Sequence, residues 1–205
     1  MFNSLFSNPI QFVFMAIGLV VAITIHEFSH ALVADKLGDP TARSQNRLTL
    51  NPLAHLDPLG TIALLVMGFG WGKPVPFDPY NLRSPRRDSA LISLAGPTSN
   101  ILLAIVLSLI LHFLPLIPLV TTLFSFLIAL NVMLAIFNLV PVYPLDGEKI
   151  LSGLLPASTA VEYSRVMRQW GTIILIFLIL PMGGSSPITA LISPVISFVT
   201  HLLLF

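Results

Sequence analysis

Five apolar runs, at about 9–34, 89–114, 116–137, 170–181 and 187–205, leave this chain few ways to fold. The first three are long enough to cross roughly 30 Å of hydrocarbon as helices. The last two are shorter or interrupted by Pro181, Pro187 and Pro194, and are expected to be tilted spans or a pair of kinked, packed helices. A sixth stretch, 59–69, is only about a dozen residues long and runs into Gly68-Phe69-Gly70-Trp71-Gly72. Its length fits either a short span or a re-entrant segment. With 55% hydrophobic and 9% charged residues, the chain has far fewer charges than the roughly one quarter of a soluble domain. Its mean hydropathy is +0.91. The expected fold is an all-α polytopic membrane protein with about five to six transmembrane helices and a small extended or β re-entrant region after the first helix. A net charge of +1 gives no reason to expect a nucleic-acid partner.

Charge placement sets the expected orientation. The ten basic residues fall in three stretches: Lys36, Arg43 and Arg47; Lys73, Arg83, Arg86 and Arg87; and Lys149, Arg165 and Arg168. The connections at 114–118 and 181–187 carry none. The positive-inside rule makes the basic stretches cytoplasmic and the N-terminus external, in what is expected to be the cell (inner) membrane. The same rule disfavours a full crossing by 59–69. Residues 1–8 carry no basic residue and no small-residue cleavage site follows the first run, so it is expected to be retained. Two polar stretches, 41–50 and 73–77, are expected to be extended; Pro74 and Pro76 exclude a helix interior from the second.

Inside the first run lies His26-Glu27-Phe28-Ser29-His30. On a helix, H-E-x-x-H brings two imidazoles one turn apart onto one face, within reach of one Zn²⁺, with the glutamate placed to act on a metal-bound water. Ionisable groups in a spanning helix cost several kcal/mol each, which marks them as functional candidates. Without a metal, two histidines and a glutamate buried there would all need polar partners.

A catalytic zinc needs a third protein ligand, and the chain has no cysteine to supply one. The soluble-protease extension H-E-x-x-H-x-x-G-x-x-H is absent, since positions 33 and 36 are Val33 and Lys36. No glutamate occurs between Glu27 and Glu148, so the ligand is a distant Asp or His. Asp146 is the foremost candidate. It ends Asn138-Leu139-Val140-Pro141-Val142-Tyr143-Pro144-Leu145-Asp146-Gly147, where two prolines break the helix directly after an apolar run. Broken backbone at membrane depth is tolerated only where it is buried in protein or lines a water-filled cavity. His55 and Asp57, in a loop of Asn-Pro and Asp-Pro turns, are the rivals; His55 is expected close to the site. His112 and His201, near segment ends, are expected at the interface. Asn131 is expected to join helices by a hydrogen bond, and Gly18 with Ala22 to permit close packing.

Taken together, HEFSH in a membrane segment, Gly96-Pro97-Thr98-Ser99-Asn100 and the N-x-x-P-x-x-P-L-D-G stretch resemble the site-2 proteases, intramembrane zinc metalloproteases. The resemblance covers residues 26–147. It is similar to the compact branch without PDZ or CBS domains, whose members often carry the pattern seen here as Asn51-Pro52-Leu53-Ala54-His55-Leu56-Asp57-Pro58-Leu59-Gly60. It implies one zinc ion bound by His26, His30 and Asp146, with Glu27 as general base. It also implies that Asn100 and Asn138 hold the substrate backbone or polarise its carbonyl.

The expected organisation is therefore a single membrane-embedded metalloprotease domain, residues 1–205, with a catalytic core at about 9–150 and accessory helices at about 151–205. Its expected partners are the bilayer and a transmembrane protein or peptide substrate. Such a substrate must unwind before attack, and the extended stretches are expected to offer it a strand edge. The competing class is a non-catalytic metal or ion conductor, or a scaffold with the same fold. Conduction would need neither Glu27 as a base nor a distant third ligand.

Overall fold

The computed structural model describes residues 8–67, 71–181 and 184–205. Its regular elements are helices, and an isolated antiparallel bridge pairs Leu56 with Gly72. Helix α1 (Pro9–Lys36) starts with proline at its first position, and the Asn8 side chain accepts from the Gln11 amide. A first-turn proline sacrifices no intrahelical bond, and an Asn cap satisfies an otherwise orphaned donor. The helix stops at Leu37, followed by Gly38 with φ +105°, a conformation that favours glycine.

The one-turn α2 (Thr41–Ser44) corrects an expectation, because residues 41–50 are not simply extended. Asp39 accepts from both the amide and the hydroxyl of Thr41, satisfying first-turn donors and favouring the turn. Next come a 3₁₀ turn (Pro52–Ala54) and α3 (Pro58–Met67). At ten residues α3 is about 15 Å long, half a bilayer core. The Gly68, Phe69 and Gly70 end of the 59–69 stretch lies outside the described residues. The 73–77 segment is non-helical, as its prolines require, and has no ladder partner among the described residues.

Helix α4 (Pro85–Phe113) contains Pro97, and α5 (Pro118–Asn138) ends where the proline-rich turn begins. Helix α6 (Asp146–Leu154) opens on Asp146. Helix α7 (Ala157–Ile179) absorbs the fourth apolar run into a longer helix whose first half carries Glu162, Arg165 and Arg168. Helix α8 (Pro187–Leu204) ends the chain. Among the described residues four helices, α1, α4, α5 and α8, are long and apolar enough to cross a membrane.

Helix α4 is the hub, packing against α1, α5 and α6. Ala104, Leu107, Leu127, Ile128 and Val132 fill the α4–α5 contact, and Val140, Val142, Leu145, Leu175 and Ile188 seat the proline turn against α7 and α8. Gly18 lets α1 approach α5: a Cβ there would meet Leu130 Cδ1 at 2.5 Å. This agrees with the close packing expected of Gly18 and Ala22, both buried. Large side chains such as Ile10, Leu102, Val106, Leu191 and Phe198 point outward, the arrangement of a bundle whose solvent is lipid.

Candidate metal centre

Helical geometry makes the first half of the site. His26 and His30, one turn apart on α1, pack edge to face with ring centroids 4.6 Å apart, and both are buried. They lie about 9–15 Å from Lys36 and so nearer the charge-rich end of α1. Each imidazole is held from behind. His26 Nδ1 lies 2.6 Å from Asn100 Oδ1, and His30 Nδ1 lies 2.7 Å from the Ile92 carbonyl. Both partners are oxygen acceptors, so both Nδ1 atoms carry a proton; with the rings neutral, as metal ligands require, both Nε2 atoms present lone pairs.

Those lone pairs face Asp146. Its Oδ2 lies 3.0 Å from His26 Nε2 and 3.2 Å from His30 Nε2. One ligand atom from each of the three residues falls within 4.8 Å of the others. Three acceptors converging in a buried place repel one another unless a cation lies among them, so the donor set fits a metal ion. Nitrogen and oxygen ligands in a 2-His-1-carboxylate set suit zinc and leave a coordination position open.

Gly96 shapes the remaining wall. A Cβ on it would lie 2.5 Å from His30 Nε2 and 2.6 Å from His26 Nε2. Only a residue without a side chain lets α4 close over the ligand atoms. On the other side Gly147 follows Asp146, and a Cβ there would collide with the carbonyl oxygens of Leu139 and Val140. The proline turn and α6 can therefore meet closely enough to aim Asp146 at α1.

Glu27 faces a strap formed by residues 71–78. Its Oε2 accepts from the Val75 amide at 2.9 Å. Three further contacts hold the strap down, and a fourth fixes the chain just beyond it. Lys73 N donates to the His55 carbonyl, Arg47 Nη2 donates to the Lys73 carbonyl, and Asp39 accepts from both the Asp78 amide and Asn81 Nδ2. Arg47 and Asp39 are both buried. In the sequence Arg47 reads only as one charge in a basic stretch, and nothing there marks Asp39. Hydrogen bonds from Thr41, Asn81 and the Asp78 amide outweigh the burial that opposes ionisation, holding the Asp39 carboxyl below the usual carboxylate range.

The other sequence candidates are not among the three clustered residues. His55 is fully buried beneath the strap, where its Nε2 donates to the Thr49 carbonyl at 2.7 Å; it is not among the three clustered candidate ligands. Asp57 Oδ1 accepts from Gly60 N and caps α3. Asn100 sits against His26, with both amide hydrogens engaged by the Ala22 carbonyl and Asn131 Oδ1. Asn138 donates to the Leu134 carbonyl in its own helix. His112 and His201 are exposed toward the ends of α4 and α8.

Comparison with known proteins agrees with this chemistry. The family "Peptidase family M50" matches residues 117–182, a stretch that includes Asp146. A Bacillus subtilis protein named "Putative zinc metalloprotease YwhC" is 40% identical over 180 residues, covering 83% of this chain and 82% of the relative. "Putative zinc metalloprotease Rip2" of Mycolicibacterium smegmatis is 29% identical over 82% of this chain and 67% of its own length. "Zinc metalloprotease MJ0392" of Methanocaldococcus jannaschii is 29% identical over 74% of this chain and 37% of its own length. No solved structure matches the chain.

Proposed function

This chain belongs to peptidase family M50 and is a zinc metalloprotease embedded in a membrane, and from that premise we propose that it hydrolyses peptide bonds within or near transmembrane segments of other membrane proteins. The observation that carries the proposal is the convergence of His26, His30 and Asp146 inside a bundle of lipid-crossing length, with Glu27 beside them on α1. In this reading His26, His30 and Asp146 hold one zinc ion, and Glu27 is the general base. Zinc bound there supplies Lewis acidity that polarises a carbonyl and brings the pKa of water toward neutrality. Glu27 accepts the proton of the attacking water and delivers it to the leaving amine as the C–N bond breaks. The N-terminus is external and the site opens toward the cytoplasm, a placement supported by the basic residues at the near end of α1.

The strap is the place for an unwound substrate. Among the described residues the carbonyls of Pro74 and Pro76 accept no hydrogen bond, leaving acceptors for a substrate's N–H groups. Substrate peptides N-methylated at alternate positions near the cleaved bond are expected to bind more weakly; equal KM for methylated and plain peptides would remove strand pairing from the mechanism.

The deciding experiment replaces Glu27 with Gln in the full-length chain. Zinc content is expected to stay at one per chain, while hydrolysis falls by about 10²–10⁴-fold and uncut membrane fragments accumulate in quantitative proteomics. Zinc flux into proteoliposomes that persists in the variant, with no fragment accumulating, would favour a conductor and overturn the protease reading.

A further inference from the structure

A line of buried amides crosses the bundle from α5 through α4 to the metal centre. Asn131 and Asn100 are both fully buried, and Asn131 is flanked by the apolar Ile128 and Val132. Polar groups in such surroundings are stable only when every donor and acceptor is matched. Backbone carbonyls can only accept, and this fixes which way each amide points. Asn131 Nδ2 donates to the Leu127 carbonyl at 2.8 Å, so its Oδ1 faces α4. Asn100 Nδ2 directs one hydrogen to that Oδ1 at 2.8 Å and the other to the Ala22 carbonyl at 3.0 Å. Only Asn100 Oδ1 is left to meet His26 Nδ1, and it can do so only if that nitrogen carries the proton.

We propose that Asn131 is a positioning residue for the metal centre, acting through Asn100 to set the tautomer and ring direction of His26. A flipped Asn100 would turn N–H groups toward His26 Nδ1, drive the imidazole proton to Nε2 and close the ligand position. Asn131 and Ala22 forbid that flip, because it would set oxygen against oxygen at both. His30 needs no such device, since its Nδ1 partner is the Ile92 carbonyl, whose direction the backbone fixes. The proposal rests on the zinc-protease reading and assigns Asn100 to the ligand and not to the substrate.

The test measures zinc affinity of the full-length chain in lipid nanodiscs by competition with a chromogenic chelator. Asn100→Leu is expected to bind zinc about 10–100-fold more weakly, and Asn131→Leu about tenfold, as for other outer partners of metal ligands. The double variant is expected to bind no more weakly than Asn100→Leu alone, because Asn131 acts only through Asn100. Asn131→Asp, which keeps an oxygen facing Asn100 and when protonated a donor for Leu127, is expected to recover most of the loss. Wild-type affinity in Asn131→Leu, or losses that simply add in the double variant, would overturn the relay. Should Asn100→Leu not be recovered folded, equal losses in Asn131→Leu and Asn131→Asp overturn it instead. A wild-type chain that fails to bind zinc would refute the protease reading, a result distinct from all of these.

Discussion

Replacing Gly96 with alanine opposes two effects of known sign. In a helix interior alanine is favoured over glycine by about 1 kcal/mol, so backbone propensity alone predicts a more stable α4. The structure predicts trouble at one point. The new methyl would lie 2.5 Å from His30 Nε2 and 2.6 Å from His26 Nε2 and Cε1. An ordinary contact needs roughly 3.5 Å, so the rings or α4 must give way by about 0.9–1 Å. Zinc ligands tolerate about 0.2 Å around a bond of about 2.0–2.1 Å. Displacement of that size cannot be shared out without spoiling the ligand set. Overpacking of one methyl costs about 1–3 kcal/mol. If that cost falls on the metal-bound geometry, zinc affinity drops by about 5- to 150-fold. The apo chain, free to let the imidazoles move, should melt close to wild type. Chelator competition for zinc, paired with thermal melts of the apo chain in nanodiscs, separates the two effects. Undiminished zinc affinity would refute the claim that α4 closes directly over the ligand atoms.

Other outcomes follow from the strap and the ligands. Asp39 has a folded pKa below its unfolded value near 3.9. The stability it contributes is therefore present above that value and lost as pH falls through the folded pKa. Asp39→Asn should flatten the acid limb of a melting-temperature profile, and an unaltered limb would count against the clamp. Val75→Pro removes the amide that donates to Glu27 and leaves the Pro74 and Pro76 carbonyls in place, so kcat should fall with KM steady; a KM rise with kcat unchanged would show that this amide serves substrate binding and not Glu27. Stripping zinc with a chelator should abolish hydrolysis, and added zinc should restore it; activity surviving complete removal would contradict the assigned chemistry.

Much of the site was legible because its signals are local. H-E-x-x-H spacing on a helix dictates that His26 and His30 share a face. Asp146 could be nominated because no nearer carboxylate fits a recognised spacing and because prolines break the chain just before it. What escaped were residues whose role depends on what lies opposite. Asp39 and Arg47 look like ordinary loop charges until the strap is seen crossing Glu27. The 41–50 stretch lacks helical periodicity, yet one turn forms there because Asp39 satisfies the Thr41 amide, an effect too short for periodicity to register. His55, expected close to the site, lies beneath the strap that crosses Glu27 and is bonded to Thr49.

The amino-acid order by itself determined a lipid-embedded helical chain and two of the three candidate ligands, since hydropathy and a four-residue spacing are properties of one continuous segment. Tertiary structure decided the third ligand's aim, the glycine opening in α4, and the amide chain that turns His26. Each of those is a contact between segments 31–120 residues apart, and such distances are set by how helices pack, not by any pattern along one of them.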